Sequence, residues 1–447
     1  MAGALGLAPL VASASVYEQV GGSPRGTAMG AQVAAAADAS ATFANPALLS
    51  GLLTPTVEVA GSGLLYNAEV APLSSGATLD CSACRPVDSY GVQVGLVSPL
   101  GGKLKGRVTV GASLYLPSDV MLQVHLQDPN RPAWYLWDNS PRHLLIFLGA
   151  GVKVTDWLSL GAGVQTLAEL VGNGANLRLD LFSKEITARE MDSAIVPKVA
   201  PVVGVGLSPT SAFRLGLSWR WELANPVTIP AKIDLSGVGT LGFVVAGTSH
   251  YTPNVVTGGL AVDPVESLTL AMDVAWEQWS RAPSPYADLT LDLSGDTLGA
   301  LGLDEALDLQ SPRTPPGFTD TVGVKAGVEW RAVGWLALRG GAFYRPTMAP
   351  GQDAAGTNVL DGNRVGGSVG VGMSGRDPLE VLEGTVHLDL GIQGSTLLAR
   401  EAHKDPTDSV PSYRYALNVW AVQLGIRYAF DPPAAAPVDP GPDTAAD

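Results

Sequence analysis

From Thr56 to Phe430 the chain repeats one unit, a stretch of roughly ten residues alternating apolar and polar, closed by a turn. Period-2 alternation marks a strand whose two faces meet different surroundings. Fourteen such strands are predicted, near 56–68, 88–98, 107–117, 143–155, 157–168, 197–207, 212–223, 252–263, 266–278, 320–331, 334–345, 363–375, 383–397 and 413–430. Hydrophobic residues make up 46% of the chain and Asp, Glu, Lys and Arg only 15%, against about 25% charged in an average soluble domain. Yet no apolar run reaches the ~20 residues of a transmembrane helix. Apolar composition carried by alternating strands points to an all-β transmembrane barrel, where lipid-facing and lumen-facing residues dilute one another's hydropathy. The 447 residues are then one large barrel, 56–430, with short flanking segments.

The connections support the same architecture. Tight ones (Thr155-Asp156-Trp157, Ser208–Ser211, Asp263–Glu266, Arg331–Gly334) alternate with long ones near 69–87, 118–142, 169–196, 224–251, 279–319, 346–362 and 398–412. Short turns at one end and long loops at the other describe an up-and-down outer-membrane barrel with its long loops outside the cell. An even strand number returns both barrel ends to the periplasmic side. The faces agree: Phe213, Leu215, Leu217, Trp219 and Trp221 alternate with Arg214, Gly216, Ser218, Arg220 and Glu222. The 53 glycines and 33 prolines are read as turn and kink capacity.

Residues 15–55 lack this alternation. Arg25–Leu53 is small, apolar and almost uncharged, with Arg25 and Asp38 as its only ionised groups. It is expected to form a compact, mostly helical plug at the barrel mouth. Asn45-Pro46-Ala47 supplies a favoured N-cap followed by proline at the first helical position, so a short helix is expected to start there. Residues 1–14 read either as the back half of a secretory signal, cleaved after Ala14 to leave Ser15-Val16-Tyr17 as the mature N-terminus, or as a short disordered apolar end. The Pro/Ala/Asp-rich tail 431–447 is expected to be a disordered periplasmic extension. Phe430 closes the last strand in the manner of barrels handed to the barrel-assembly machinery.

Composition also bounds the partners. A net charge of −15 without a basic face argues against nucleic acid. Cys81 and Cys84, the only cysteines, lack further zinc ligands nearby and are expected to staple one loop as a disulfide. The five histidines show no nucleophile or metal spacing, and the acidic run 288–308 lacks EF-hand spacing. No cofactor, metal or enzymatic activity is expected, and the barrel is read as a monomer among outer-membrane lipids.

Several stretches in order resemble the FadL/TodX family of outer-membrane transporters for long-chain fatty acids and other hydrophobic compounds. They are GAQVAAAADASATFANPALLSGL (Gly30–Leu52), TPNVVTGGLAVDPVESLTLAMDVAWEQWS (Thr252–Ser280), FTDTVGVKAGVEWRAVGWLALRGGAFYRP (Phe318–Pro346) and DGNRVGGSVGVGM (Asp361–Met373). The resemblance implies a fourteen-stranded barrel plugged by an N-terminal hatch, with Asn45, Pro46 and Ala47 in its gate. It also implies passive uptake: ligand lands on a loop-lined groove, moves to a luminal pocket and leaves through the barrel wall into the membrane. Ser15–Val20 would lie beneath that pocket and move as ligand binds.

A fatty-acid-like ligand needs an apolar slot and one or two cations for its carboxylate. Arg220, Lys325 and Arg339 face inward at mid-strand and are the expected ligand-binding residues. Lys325 and Arg339 flank the turn 331–334 almost symmetrically, so they are expected to lie together across paired strands. A competing reading uses the same cations structurally: Asp273, Glu277 and Glu329 also point inward, and ion pairs would then hold hatch to wall. The loop segments Ala133–Ser140 and Leu298–Leu309 are amphipathic, and serve either as an apolar landing groove or as ordinary loop packing. The alternatives to transport of a specific ligand are a general porin or a purely structural barrel, an outer-membrane lipase, and a soluble secreted β-protein.

Overall fold

The computed structural model of the chain describes residues 16–81, 84–119, 126–180, 185–235, 239–294, 316–378 and 383–430. The expected leader, Ser15, the loop segment 298–309 and the C-terminal tail lie outside them.

In chain order the strands are β1 (Thr56–Pro72), β2 (Ser89–Pro99), β3 (Val108–Pro117), β4 (Leu145–Lys153), β5 (Leu158–Asp180), β6 (Glu185–Thr210), β7 (Phe213–Arg220), β8 (Leu223–Leu235), β9 (Gly239–Thr252), β10 (Val255–Val265), β11 (Leu268–Glu277), β12 (Asp288–Ser294), β13 (Thr321–Val333), β14 (Leu336–Arg345), β15 (Arg364–Arg376), β16 (Gly384–Ala402) and β17 (Tyr413–Phe430). Leaving aside β8, β9 and β12, each strand pairs antiparallel with the next, and β17 returns to β1 in a register from Thr56 opposite Ala429 to Pro72 opposite Tyr413. The result is a closed fourteen-stranded barrel, and its members are the fourteen strands expected from alternation. Closure satisfies every wall backbone group without water, which a hydrocarbon surrounding requires.

Three strands were not expected. β5 and β6 run 23 and 26 residues, against 8 in β7, and so overshoot the wall. Above the rim, β8 pairs with β9 and β9 with β12, while Ala231–Leu235 of β8 run parallel to Ala175–Leu179 of β5. These residues fall in the expected long loops 224–251 and 279–319, and within β8 Pro226 and Pro230 interrupt the alternation. The register slips at Asn225/Pro226, since proline cannot donate to a ladder.

The faces are inverted relative to a soluble protein. Leu217, Trp219, Val369, Leu424 and Ile426 are exposed on the outside, whereas Ser218, Arg220, Asp273, Glu329 and Gln423 are buried in the lumen. An unbroken apolar exterior around a polar interior is unstable in water and suited to lipid.

The lumen holds the N-terminal segment as α1 (Val16–Val20), α2 (Pro24–Met29), α3 (Ala41–Ala44) and a 3-10 turn over Pro46–Gly51. Almost all of Gly21–Ser50 is buried. The wall admits it because its inward positions at that level are glycines. A Cβ at Gly161 would overlap the backbone of Pro46 and Ala47, one at Gly216 the Val33 carbonyl, one at Gly327 the Met29 carbonyl, and one at Gly391 the Pro24 carbonyl. These glycines stand opposite others across the ladders: Gly161 faces Gly204, Gly216 faces Gly259, and Gly327 faces Gly341. Reading glycine only as turn capacity missed this. The hatch backbone packs directly on the wall backbone.

Side chains there should therefore dislodge the hatch. Gly216→Val and Gly327→Val are expected to cost about 1–3 kcal/mol each and to open trypsin cleavage after the buried Arg25. Gly258→Val, whose added carbon meets nothing within 4 Å, is the control. Equal protection of Arg25 in all three variants would refute this tight seating.

Candidate functional site

The hatch is held by local capping and by ion pairs to the wall. Ser23 caps α2, its Oγ accepting from the Gly26 amide at 3.0 Å and donating to Asp38 Oδ2 at 3.0 Å. Asn45 caps the 3-10 turn: Oδ1 accepts from the Ala47 amide at 3.1 Å. Its Nδ2 donates to the Val33 carbonyl at 2.9 Å and the Val205 carbonyl of β6 at 3.0 Å. Pro46 follows at the first position of the turn, so the local reading of Asn45-Pro46 holds, with one more function: Asn45 ties the hatch to itself and to the wall.

Arg25 of α2 reaches Glu329 of β13, Nε to Oε2 at 2.8 Å, and donates Nη1 to the Ala35 carbonyl at 2.8 Å. Burial opposes the Arg25 charge, but Glu329 beside it outweighs burial and raises its pKa above the ordinary guanidinium value. Glu329 Oε2 also accepts from Arg339 Nε at 2.7 Å, and Arg339 Nη1 donates to Asp389 Oδ1 at 2.5 Å. Further hatch anchors include hydrogen bonds: Asp273 Oδ2 accepts from the Gln32 and Val33 amides, Ser368 donates to the Ala28 carbonyl, and Gln393 donates to the Gln19 carbonyl.

On the far side of the hatch lies a cavity of about 70 Å³, lined among others by Glu18, Phe43, Arg220, Lys325, Phe343, Arg345 and Arg364. Arg220 ion-pairs with Glu18 of α1 and its guanidinium carbon lies 4.0 Å above the Phe43 ring. Lys325 stands opposite Asp273 across β11 and β13. Tyr17 is buried beneath, packed on Phe43 and Phe147 at centroid distances of 5.3 and 4.8 Å, and that burial raises the pKa of its hydroxyl. Val16 begins α1.

Two of the three expected ligand-binding cations, Arg220 and Lys325, thus share one cavity. Arg339 does not. The β13–β14 hairpin turns at Gly334-Trp335 rather than over 331–334, so Arg339 pairs with Glu329 and Lys325 with Phe343. The expected proximity of Lys325 and Arg339 is corrected by this shift of register, and Arg339 belongs to the hatch network. The sequence reading also missed Arg345 and Arg364, which are opposite one another on β14 and β15. Strand parity would have found both, since they continue the inward rows of Arg339, Gly341, Phe343 and of Gly366, Ser368.

The cavity is roofed by the loops. α4 (Tyr135–Asn139) and its approach bury Trp134, Tyr135, Leu136 and Trp137 in the barrel mouth. Trp134 packs on Tyr415 at 5.8 Å and the Tyr135 hydroxyl donates to the Thr248 carbonyl at 2.9 Å. Asn358 fastens a second loop to it, donating to the Pro129 carbonyl at 2.7 Å. These aromatics form a packed lid rather than an open landing groove. Cys81 and Cys84, their sulfurs bonded and Cα atoms 4.7 Å apart, close a small loop beside it.

The family model for the outer membrane transport proteins OMPP1/FadL/TodX matches residues 8–430. The chain belongs to this family. It is accordingly an outer-membrane member of a family that transports hydrophobic compounds, not a family of enzymes. No curated protein matches the sequence. Among solved structures, a Pseudomonas aeruginosa FadL homologue superposes with a TM-score of 0.61 at 15% identity, over 95% of this chain and 100% of that one. The Pseudomonas putida toluene transporter TodX gives 0.56 at 16% identity, over 92% and 99%. The Ralstonia pickettii toluene transporter TbuX gives 0.54 at 15%, over 93% and 100%. At these identities the likeness is one of fold.

Within this FadL/TodX-family barrel the hatch latch makes two expectations. Glu329→Ala leaves Arg25 and Arg339 without their shared acceptor, a loss of roughly 3–5 kcal/mol in hatch seating. Hydrogen exchange of hatch amides should accelerate ~100-fold or more, whereas unchanged exchange would remove Glu329 from the latch. Asn45→Asp keeps the cap acceptor and loses both donors. It should therefore resemble Asn45→Ala in exchange of the hatch rather than wild type, and wild-type exchange in Asn45→Asp would confine Asn45 to local capping.

Proposed function

We propose that this protein carries long-chain fatty acids or closely related hydrophobic compounds passively across the outer membrane, as a monomer inserted by the barrel-assembly machinery. The observation that carries the reading is the cavity beside the hatch, apolar at Phe43 and Phe343 and cationic at Arg220 and Lys325. Its volume of about 70 Å³ is below the ~150 Å³ that holds a benzene ring, so a ligand must displace part of its lining. Glu18 is the part best placed to move. A ligand carboxylate near Arg220 and Lys325 competes with Glu18 for Arg220 and so frees α1 from the cavity wall.

Exit is proposed to be sideways. Gly111 and Gly149 line a lipid-facing recess on β2–β5, and their inner faces touch Leu49 of the 3-10 turn. The wall separating hatch from lipid is thin there. Lateral release is consistent with a plug that stays seated.

Purified protein in planar bilayers should give no steady salt conductance, and mass spectrometry should find a co-purified hydrophobic ligand; an open conducting pore would sink the reading. Arg220→Gln should weaken oleate binding about tenfold, and Glu18→Gln should strengthen it severalfold. In vesicles, Ala150→Trp, which fills the outer recess, should slow delivery of oleate to the bilayer without changing binding. Equal delivery would refute the exit.

A further inference from the structure

Arg345 and Arg364 remain outside the mechanism above. They are directly opposite across β14 and β15 at the roof end of the cavity, and only 4% and 2% exposed. Two guanidiniums side by side repel one another and each gives up hydration on burial. Such groups are normally paired and hydrogen-bonded. Arg364 donates Nε to Ser395 Oγ at 2.8 Å, and its guanidinium carbon lies 4.9 Å from the Trp137 ring and 5.0 Å from Phe343. Its Nη2, and all three nitrogens of Arg345, find no acceptor among the described residues.

The nearest acids do not fill the gap. Asp361 Oδ1 lies 3.9 Å from Arg345 Nη2, beyond hydrogen-bond reach, and Asp361 Oδ2 is taken by Thr347 Oγ1 at 2.8 Å and the Met348 amide at 3.0 Å. Glu277, which lines the same cavity, accepts from Trp279 Nε1 at 2.9 Å. Arg345 and Asp361 thus form an ion pair without a hydrogen bond, in contrast to Arg25 and Arg339, whose guanidiniums are hydrogen-bonded to Glu329 and Asp389. Unpaired N–H donors from two neighbouring arginines suit an oxyanion with several lone pairs, and the flanking aromatic rings suit an apolar chain attached to it.

We propose that Arg345 and Arg364 form a second anion site, on the roof side of the cavity, that holds the oxyanion head (carboxylate or sulfate) of an apolar ligand. The site selects amphiphilic anions over neutral hydrocarbons of equal length. It rests on the uptake reading above, because the ligand must reach the lumen past the roof.

The test is equilibrium binding of radiolabelled dodecanoate and 1-dodecanol to the full chain in a non-ionic detergent. Wild type should prefer dodecanoate. Arg345→Gln and Arg364→Gln should each weaken dodecanoate binding tenfold or more and change dodecanol binding less than twofold, with Arg345→Lys intermediate. On wild type alone, dodecyl sulfate should displace dodecanoate and dodecyltrimethylammonium should not, a result that stands even if a variant fails to assemble. Dodecanol bound as well as dodecanoate, or displacement by the cationic amphiphile, would overturn the anion site together with the carboxylate contact at Arg220 and Lys325. A parallel loss of both probes in the Arg345 and Arg364 variants would overturn the anion site and leave the uptake reading intact. Binding of neither probe to wild type would overturn both.

Discussion

Everything in this molecule depends on backbone packed against backbone. A barrel of eight strands can fill its interior with wall side chains, whereas one of sixteen leaves an aqueous channel. Fourteen strands leave a lumen that must be filled by something else. Here it is filled by the chain's own N-terminal segment, and the fit is possible only because the wall lacks side chains where the hatch touches it. Gly161, Gly204, Gly216, Gly327 and Gly391 bring the hatch carbonyls and amides into contact with the sheet itself. The hatch answers in kind, with alanines at 31, 34–37, 39, 41, 44 and 47. Small residues on both sides let polar groups reach across: Asn45 to Val205, Asp273 to Gln32 and Val33, Ser368 to Ala28.

Charge divides the lumen into two zones. In the hatch latch Arg25 and Arg339 have their acids, Glu329 and Asp389. Such a network is specific in direction and commits its guanidiniums to acceptors within the protein. On the roof side Arg220 has Glu18 and Lys325 faces Asp273, but Arg345 and Arg364 have donors to spare. A buried unpaired donor costs about 1–3 kcal/mol, which is the ground for the second anion site proposed above. The zone that holds the plug and the zone proposed to meet cargo use the same residue types. They differ in whether each donor finds its acceptor within the protein.

The fold was legible because lipid outside and polar lumen inside impose a strict period of two, and Phe213–Glu222 carries it residue by residue. Asn45-Pro46 was legible because capping is local. Register was not: moving the β13 turn from 331–334 to Gly334-Trp335 separates Lys325 from Arg339, and nothing in the local sequence decides that slip. The rim strands β8, β9 and β12 escaped because Pro226 and Pro230 break the alternation and their pairing partners are remote. Trp134 and Trp137 looked equally suited to an open groove and to a packed lid. Tyr415, on the last strand, settles it for Trp134.

By itself the sequence determined the number of wall strands, which end bears the loops, that a small apolar segment precedes the wall, and the family to which these belong. Those properties follow from periodicity, turn chemistry and composition, each acting over a few residues. Only the tertiary structure decided which lumen-facing cations hold the hatch and which keep donors without an acceptor among the described residues. A charge's role depends on its nearest acid, and in a barrel that acid comes from another strand: Asp273 for Lys325, Asp389 for Arg339, and for Arg345 none within hydrogen-bond reach among the described residues.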